Sequence, residues 1–159
     1  MKRLPRFFNL SRRGLIVLTS LLLLSLPATA AAEYVSIQRD KVNIRSGPST
    51  DHAIVWEVFR GFPLQILERR GEWARVSDFE NDQGWIYIPL VSNTKTLIVR
   101  VNTANMRGGP GTNHEVIASV RYGVIFEPLE RRGDWIRVRH SDGATGWISA
   151  SLLWPADII

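Results

Sequence analysis

The sequence predicts an all-β protein made of two tandem small β-barrels that follow an N-terminal signal peptide. Three observations support this fold class. The second half of the chain repeats the first at an offset of 62 positions, apolar and polar residues alternate over short runs, and the first 32 residues have the composition of an export signal. The repeat is clearest in NIRSGPSTDH at 43–52 and NMRGGPGTNH at 105–114.

Residues 1–32 have the three parts of a secretory signal peptide. MKRLPRFFNLSRR holds five cations and no acid, GLIVLTSLLLLSL is an apolar run shorter than a typical membrane span, and PATAAA supplies small residues for cleavage. We expect cleavage after Ala30 or Ala32, export to the periplasm or the outside of the cell, and no membrane span after cleavage. The pair Arg12-Arg13 keeps twin-arginine export open beside the general secretory route.

The net charge of +5 comes from the signal segment. Its five cations are part of a total of 20 Lys and Arg, so the mature chain balances fifteen cations against fifteen Asp and Glu. A neutral mature chain does not favour a nucleic-acid partner. The chain has no cysteine, which excludes disulfides and a lipoprotein anchor.

Each repeat contains six runs with strand periodicity, bounded by Gly, Pro, Asp, Asn or Ser. The predicted strands are 34–38, 42–45, 53–59, 63–69, 72–78 and 83–88, with the same set 62 residues later. Gly71, Gly133 and the segments 78–82 and 140–143 are expected to form tight turns. The predicted domains are 33–92 and 97–154, with a linker at 93–96 and a tail at 155–159. Since each unit is small, we expect the two to pack together.

Both repeats carry the same ordered motifs: Asn-x-Arg-x-Gly-Pro, Gly-x-Trp-x-x-Val, and Gly-Trp-Ile with a Leu shortly after. This set resembles the bacterial SH3-like domain family, in two tandem copies that cover nearly all of the mature chain. The resemblance implies SH3-like β-barrels, secretion and a binding role, often toward cell-wall peptidoglycan or its peptide stems.

Arginine and aromatic residues on the polar faces of the strands are the candidate ligand-binding residues. Indole rings offer flat apolar area to a sugar or a peptide, and the Trp of each Gly-Trp-Ile is expected to point away from the core, beside the Asn-Arg loop. The alternative is that these side chains only cover the barrel, with the Trp and Arg of each Trp-x-Arg stacked on one another. The candidates are Arg45, Trp56, Trp73, Trp85, Tyr87, Arg107, Trp135 and Trp147.

The first repeat is expected to bind better than the second. Its Trp56 and Tyr87 are replaced by Ala118 and Ser149 in the second repeat. The two grooves are therefore not expected to be equivalent.

A second set of residues is assigned to structure. We expect the Asn amide to bond the backbone of the turn, the proline to fix the turn, and the glycine before Trp to free the backbone. His52 and His114 are expected to stabilise the turn, and the arginine pairs 69–70 and 131–132 to be solvated beside acidic neighbours. The structural residues are Asn43, Gly47, Pro48, Gly84, Asn105, Gly109, Pro110 and Gly146.

No pattern in the sequence indicates catalysis. It lacks a cysteine nucleophile, a metal-spaced cluster, a glycine-rich phosphate loop and a Ser-His-Asp set that breaks the repeat. We expect an exported, non-catalytic binding protein without cofactor or metal, which recognises peptidoglycan peptide or glycan through SH3-like grooves. The alternative is a scaffold for envelope proteins or a regulator of a partner hydrolase.

Overall fold

Alternating apolar residues build two antiparallel seven-stranded sheets in the computed structural model, which describes residues 31–159. Residues 1–30 of the predicted signal peptide lie outside the described residues. The first sheet contains β1 Glu33–Ile37, β2 Val42–Arg45, β3 Ile54–Val58, β4 Pro63–Arg70, β5 Trp73–Ser77, β6 Gln83–Tyr87 and β7 Val91–Ser92. Across residues 31–159, no helix has the length and apolar character needed to span a membrane.

The second sheet repeats the first, strand for strand. It contains β8 Leu97–Val99, β9 Thr103–Arg107, β10 Val116–Arg121, β11 Ile125–Arg132, β12 Trp135–Arg139, β13 Thr145–Ser149 and β14 Leu153–Trp154. The strand orders are β3-β2-β6-β5-β4-β1-β7 and β10-β9-β13-β12-β11-β8-β14. Register shifts in β4 and β11 let these long strands bend around the barrel. The all-β class and the tandem duplication are confirmed.

The sequence missed one strand in each sheet. The two-residue strands β7 and β14 follow short 3-10 helices at Ile88–Leu90 and Ala150–Leu152. Two residues are too few to show an alternating pattern, so periodicity could not reveal these strands.

The buried residues follow the predicted alternation. Ala74, Val76 and Ile86 of the first barrel are fully buried, as are Ile136 and Ile148 of the second. Gly71 and Gly133 adopt positive φ of 60° and 56° in the hairpin turns where they were expected. The inward faces of the strands were therefore correctly predicted from the period of two.

The two barrels pack against each other within one compact unit that spans Ala31–Ile159. Ile98 of β8 belongs to the core of the first barrel, and Ile125 and Trp154 pack against the same core. The Phe79 ring lies 5.3 Å from the Tyr122 ring, centroid to centroid, and 6.5 Å from that of Trp154. The interface is thus an aromatic cluster rather than a flexible link.

Phe79 is presented by an acidic turn that the Asp78 carboxylate organises. Oδ1 of Asp78 accepts hydrogen bonds from the backbone nitrogens of Glu80 (2.9 Å) and Asp82 (3.0 Å), and burial raises the pKa of Asp78. Desolvation, a hydrogen bond donated to Glu80 and the neighbouring carboxylates together raise the pKa of Tyr122 to about 12. The interface therefore favours the neutral phenol of Tyr122.

The glycine before the buried tryptophan of each Gly-Trp-Ile is expected to be intolerant of a side chain. A Cβ at Gly146 would overlap Cγ of Met106 and lie 3.0 Å from Cδ1 of Ile117, whereas a Cβ at Gly108 finds its nearest neighbour at 3.6 Å. We expect Gly146→Ala to destabilise the protein by about 1–3 kcal/mol because of overpacking. Urea unfolding measures this, with Gly108→Ala as the matched control, and equal stabilities of the two variants would contradict it.

The titration of Tyr122 gives a second test of the fold. An unfolded or exposed tyrosine ionises near pH 10, so stability contributed by the neutral phenol is complete below that pH and is lost as the pH rises through about 12. The phenolate absorbance of the wild type minus that of Tyr122→Phe should show a component with a midpoint near 12. A difference curve centred near 10 would mean that Tyr122 is not held in this interface.

Candidate functional site

A groove of about 480 Å³ lies on the first barrel, between β2, β5, β6 and the loops on either side of β2. Its volume falls in the range of small-molecule and peptide side-chain sites, roughly 300–1,000 Å³. The groove brings together three of the predicted ligand-binding residues, Arg45, Trp73 and Tyr87. The full lining is Arg39, Lys41, Val42, Asn43, Arg45, Ser49, Thr50, Trp73, Tyr87 and Leu90.

One wall of the groove is aromatic. Trp73 and Tyr87 are directly opposite each other on β5 and β6, with ring centroids 5.6 Å apart. The Tyr87 hydroxyl donates to Oε1 of Glu72 at 3.3 Å, and the charge of Glu72 raises the pKa of Tyr87. Both rings are only partly buried, so they keep apolar area available to a ligand.

Arg45 holds the loop that forms the groove's opposite side. Its Nη1 donates to the carbonyl oxygens of Thr50 (2.9 Å) and His52 (2.8 Å). Arg107 makes the same pair of bonds in the second barrel, to Thr112 (3.1 Å) and His114 (2.7 Å). Both arginines therefore have a structural role, and Arg45 additionally lines the groove.

Trp85 and Trp147 do not offer the open indole faces that the sequence predicted. They are only 8% and 7% exposed. The guanidinium of Arg70 lies over the Trp85 ring, 5.0 Å from its centroid, and that of Arg132 lies 5.3 Å from the Trp147 ring. Their expected position beside the Asn-Arg strand is correct, because Arg45 is the register partner of Trp85 and Arg107 that of Trp147.

The alternative of a Trp73 stack on Arg75 is not what the structure shows, since Trp73 packs on Tyr87. The arginine that covers the Trp85 ring is Arg70. It belongs to the arginine pair at 69–70, which we expected to be solvated. Glu68 steers this arrangement by pairing with Arg70 at 2.9 Å and with Arg75 at 3.3 Å. In the second barrel Glu130 pairs with Arg132 at 2.5 Å.

Trp56 lies outside the groove. It is paired with Ile44 across β2 and β3 and packs against the first core, where a Cβ on Gly84 would lie 3.1 Å from its Cη2 atom. Its Nε1 is buried without a hydrogen-bond partner among the described residues. The prediction of Trp56 as a ligand contact is therefore corrected to a packing role. Trp135, half-buried on β12, has Ser149 opposite it where Trp73 has Tyr87, so no aromatic wall forms in the second barrel.

The asparagine prediction needs a correction as well. Among residues 31–159, no side-chain hydrogen bond joins Asn43 to its turn, and this side chain lines the groove. Asn105 accepts instead from the Ser119 hydroxyl on the neighbouring strand, at 3.4 Å. The turn is stabilised by the arginine rather than by the asparagine.

The Gly-Pro turns are built as the residue types suggest. Pro48 is the centre of a three-residue turn in which the Ser49 nitrogen donates to the Gly47 carbonyl at 3.0 Å, and Pro110 has the same position, with a distance of 3.1 Å. A Cβ on Gly47 would lie 2.5 Å from the His52 ring, so this glycine makes room for the histidine. Gly109 and His114 repeat the contact.

Gly84 and Gly146 serve close packing rather than backbone freedom. Neither is among the glycines with positive φ, and a Cβ on either would overlap a core side chain, Ile44 or Met106. The expected reason for these glycines was wrong, although their structural role is supported.

One group of carboxylates, from Asp78, Glu80 and Asp82, has oxygens within 4.8 Å of one another. Two backbone nitrogens already occupy Oδ1 of Asp78, as the turn requires. The cluster is explained as part of the turn that presents Phe79, and the expectation that the protein binds no metal stays a prediction.

Sequence reasoning missed two basic residues of the groove, Arg39 and Lys41. A signal existed in the repeat, because their counterparts are Val101 and Thr103. These positions lie in a turn without a motif, so the residues shared by the two repeats do not point to them.

The bonds from Arg45 can be tested directly. Arg45→Met keeps most of the aliphatic stem but removes two charge-assisted hydrogen bonds, so we expect a loss of about 1–2 kcal/mol in the free energy of unfolding. Hydrogen exchange of the Ser46 amide, which donates to Ala53 across the loop, should accelerate. Arg121→Met, at an exposed site, is the control, and unchanged exchange in Arg45→Met would contradict the assignment.

This chain is similar in part to several known proteins. A curated relative, "Putative N-acetylmuramoyl-L-alanine amidase YrvJ" of Bacillus subtilis (strain 168), is 29% identical over 133 residues, which cover 77% of this chain. The chain spans only 26% of that relative's length.

Two solved structures are also similar in part. NlpC2 from Trichomonas vaginalis is 16% identical, with a TM-score of 0.35, and the match covers 77% of this chain and 47% of the other. An NlpC/P60 family protein from Bacillus cereus ATCC 10987 is 13% identical, with a TM-score of 0.35, and the match covers 76% and 55% of the two chains.

The family model described as bacterial SH3 domain matches twice, at residues 38–93 and 100–155. Each match covers most of one seven-stranded sheet. Together the matches span more than half of the sequence, and the chain belongs to the bacterial SH3 domain family.

Proposed function

We propose that this protein is an exported, non-catalytic binding protein that recognises a peptide or glycan of cell-wall peptidoglycan through the groove of its first barrel. The observation that supports this most strongly is the groove itself, in which the aromatic pair Trp73 and Tyr87 faces polar groups of Asn43, Ser49 and Thr50. Aromatic area for stacking beside a few hydrogen-bonding groups is typical of sites for sugars and peptides.

The comparison with the curated relative supports the choice of ligand. That relative is named as a putative N-acetylmuramoyl-L-alanine amidase, and the name describes an amide between an amino sugar and a peptide residue. The part of the relative that this chain matches is about a quarter of its length. We therefore propose that the shared part holds the wall polymer. The signal-like sequence at 1–32 supports a location in the periplasm or outside the cell.

The lining of the groove supports binding rather than turnover. It contains no carboxylate, histidine or cysteine, and the hydroxyls of Ser49 and Thr50 have no such base beside them in the lining to activate them. The bonds made by Arg45 recur at Arg107 in the second barrel, which fits a shared fold element better than a reaction centre.

A second candidate function is a scaffold that docks an envelope protein. The edge strands β3 and β10 favour it, because each exposes two adjacent apolar residues. Ile54 and Val55 are 53% and 48% exposed, and Val116 and Ile117 are 47% and 46% exposed. An exposed edge with apolar side chains can accept a strand from a partner.

A sedimentation assay with purified sacculi tests the proposed function. Mature wild-type protein should be retained, and Tyr87→Ala and Trp73→Ala should each weaken retention about tenfold, which corresponds to about 1.4 kcal/mol. Trp135→Ala, at the matching position of the second barrel, should bind nearly as well as the wild type. No retention of the wild type would overturn the proposal, and capture of an envelope protein through Ile54 and Val55 would then favour the scaffold.

A further inference from the structure

We propose that the groove of the first barrel recognises the free carboxylate of an acidic peptide through Arg39, Lys41 and Arg45, and that the second barrel lacks this ability. This inference rests on the proposed function and names the chemical class of its ligand. Four independent features of the first barrel support it.

The first feature is unbalanced charge. Three cations line the groove and no acidic side chain does. Among residues 31–159, neither Arg39 nor Lys41 takes part in an ion pair. Two carboxylates close to the groove are oriented by other partners, since Asp40 accepts from the Arg60 backbone nitrogen at 2.9 Å and Glu72 accepts from Tyr87. An anionic ligand would thus meet a net positive field without a competing acid in the lining.

The second feature is the orientation of Arg45. Both hydrogen bonds that fix it come from Nη1. In the described residues Nη2 and Nε make no hydrogen bond, so this edge of the guanidinium remains for a ligand. Two parallel donors on one edge match the two oxygens of a carboxylate. The backbone carbonyls of Thr50 and His52 hold the donor in place before any ligand arrives.

The third feature is the backbone at Lys41. Its φ is 57°, in the left-handed region that non-glycine residues other than Asn and Asp rarely occupy. Asn81 is the other non-glycine residue with positive φ in residues 31–159, and asparagine tolerates this conformation. A lysine gains nothing locally from it, whereas a glycine would fit without strain. A role for the ammonium group at the groove explains why lysine occupies the site.

The fourth feature is the contrast between the repeats. Arg39, Lys41 and Tyr87 become Val101, Thr103 and Ser149 in the second barrel, which keeps only Arg107 of the three cations. The residues shared by the two barrels build the fold. The substitutions remove two positive charges and one aromatic ring, and thereby the features that suit an acidic peptide.

The ligand that fits these features is a short peptide with a free carboxylate. Its carboxylate would be bound by the three cations, while an apolar side chain or backbone segment stacks on Trp73 and Tyr87. A neutral glycan has no carboxylate to pair with the three cations. We therefore expect the groove to prefer the peptide part of a wall polymer over its neutral sugars.

The experiment compares two forms of one probe. Soluble peptide-bearing fragments released from purified sacculi are used as prepared and after carbodiimide coupling has converted their carboxylates to amides. Calorimetry with mature wild-type protein should show at least tenfold weaker binding of the amidated form. Affinity for the free-acid form should fall as salt rises, because exposed charges are screened.

A pair of double variants provides the matched control. Arg39→Val with Lys41→Gly removes two charges from the groove, places at position 41 a residue that fits its left-handed backbone, and should bind both probe forms equally weakly. Lys95→Thr with Arg121→Val removes the same charge at exposed sites outside the groove and should preserve the preference. Equal binding of the two forms by the wild type would overturn the inference.

Lys41→Gly separates a binding role from a structural one. Glycine relieves the left-handed strain, so the thermal midpoint should stay the same or rise while affinity for the free-acid probe falls. A fall in midpoint with unchanged affinity would show that Lys41 serves only the turn and would contradict its role.

The same data distinguish the two proposals. Sacculi that retain the protein, combined with indifference to amidation, would reject carboxylate recognition and leave wall binding in place. Failure to retain the protein on sacculi and to bind either probe form would reject both.

Discussion

Both barrels depend on the close contact between the Gly-Trp-Ile strand and the Asn-x-Arg strand. Without a Cβ on Gly84, Ile44 can pack directly on the backbone of β6. The next residue, Trp85, then lies opposite Arg45 and is covered by Arg70 from β4. From this register position Arg45 donates to the carbonyls of Thr50 and His52 in the following loop and fixes it. The groove wall is thus a consequence of how two strands pack.

The alternation of apolar and polar residues correctly predicts the strand face on which a side chain lies. It does not predict contacts with residues of other strands. Alternation correctly places Ile86 in the core and Trp85 on the opposite face. It contains no information about what covers that face, because the cover is Arg70, two strands away in the sheet. The same limit applies to Trp56 on β3. Its position close to Gly84 depends on β6, a strand that the local pattern around Trp56 does not describe.

The duplication separates residues that build the fold from residues that make each barrel different. The shared motifs form the turn, the buried tryptophan and the core. Contacts between the barrels use positions that break the repeat: Phe79, Tyr122 and Trp154 correspond to Ser141, Arg60 and Ser92. Because the residues that meet differ from their counterparts, each barrel contributes a different surface to the interface. Motif searches emphasise identity and so miss this class of residue.

The groove also contains residues that differ between the two repeats, and substitutions at these residues can test which ligand it binds. Arg45 serves both the loop and the groove, so its loss would mix a change in stability with a change in binding. Arg39 and Lys41 are exposed and lie at the groove without supporting the core. Surface changes away from packing or hydrogen bonds usually alter stability by less than about 0.5 kcal/mol, and glycine at position 41 fits the left-handed backbone there. A selective effect on binding at these two positions would therefore reflect the ligand's charge rather than the integrity of the barrel.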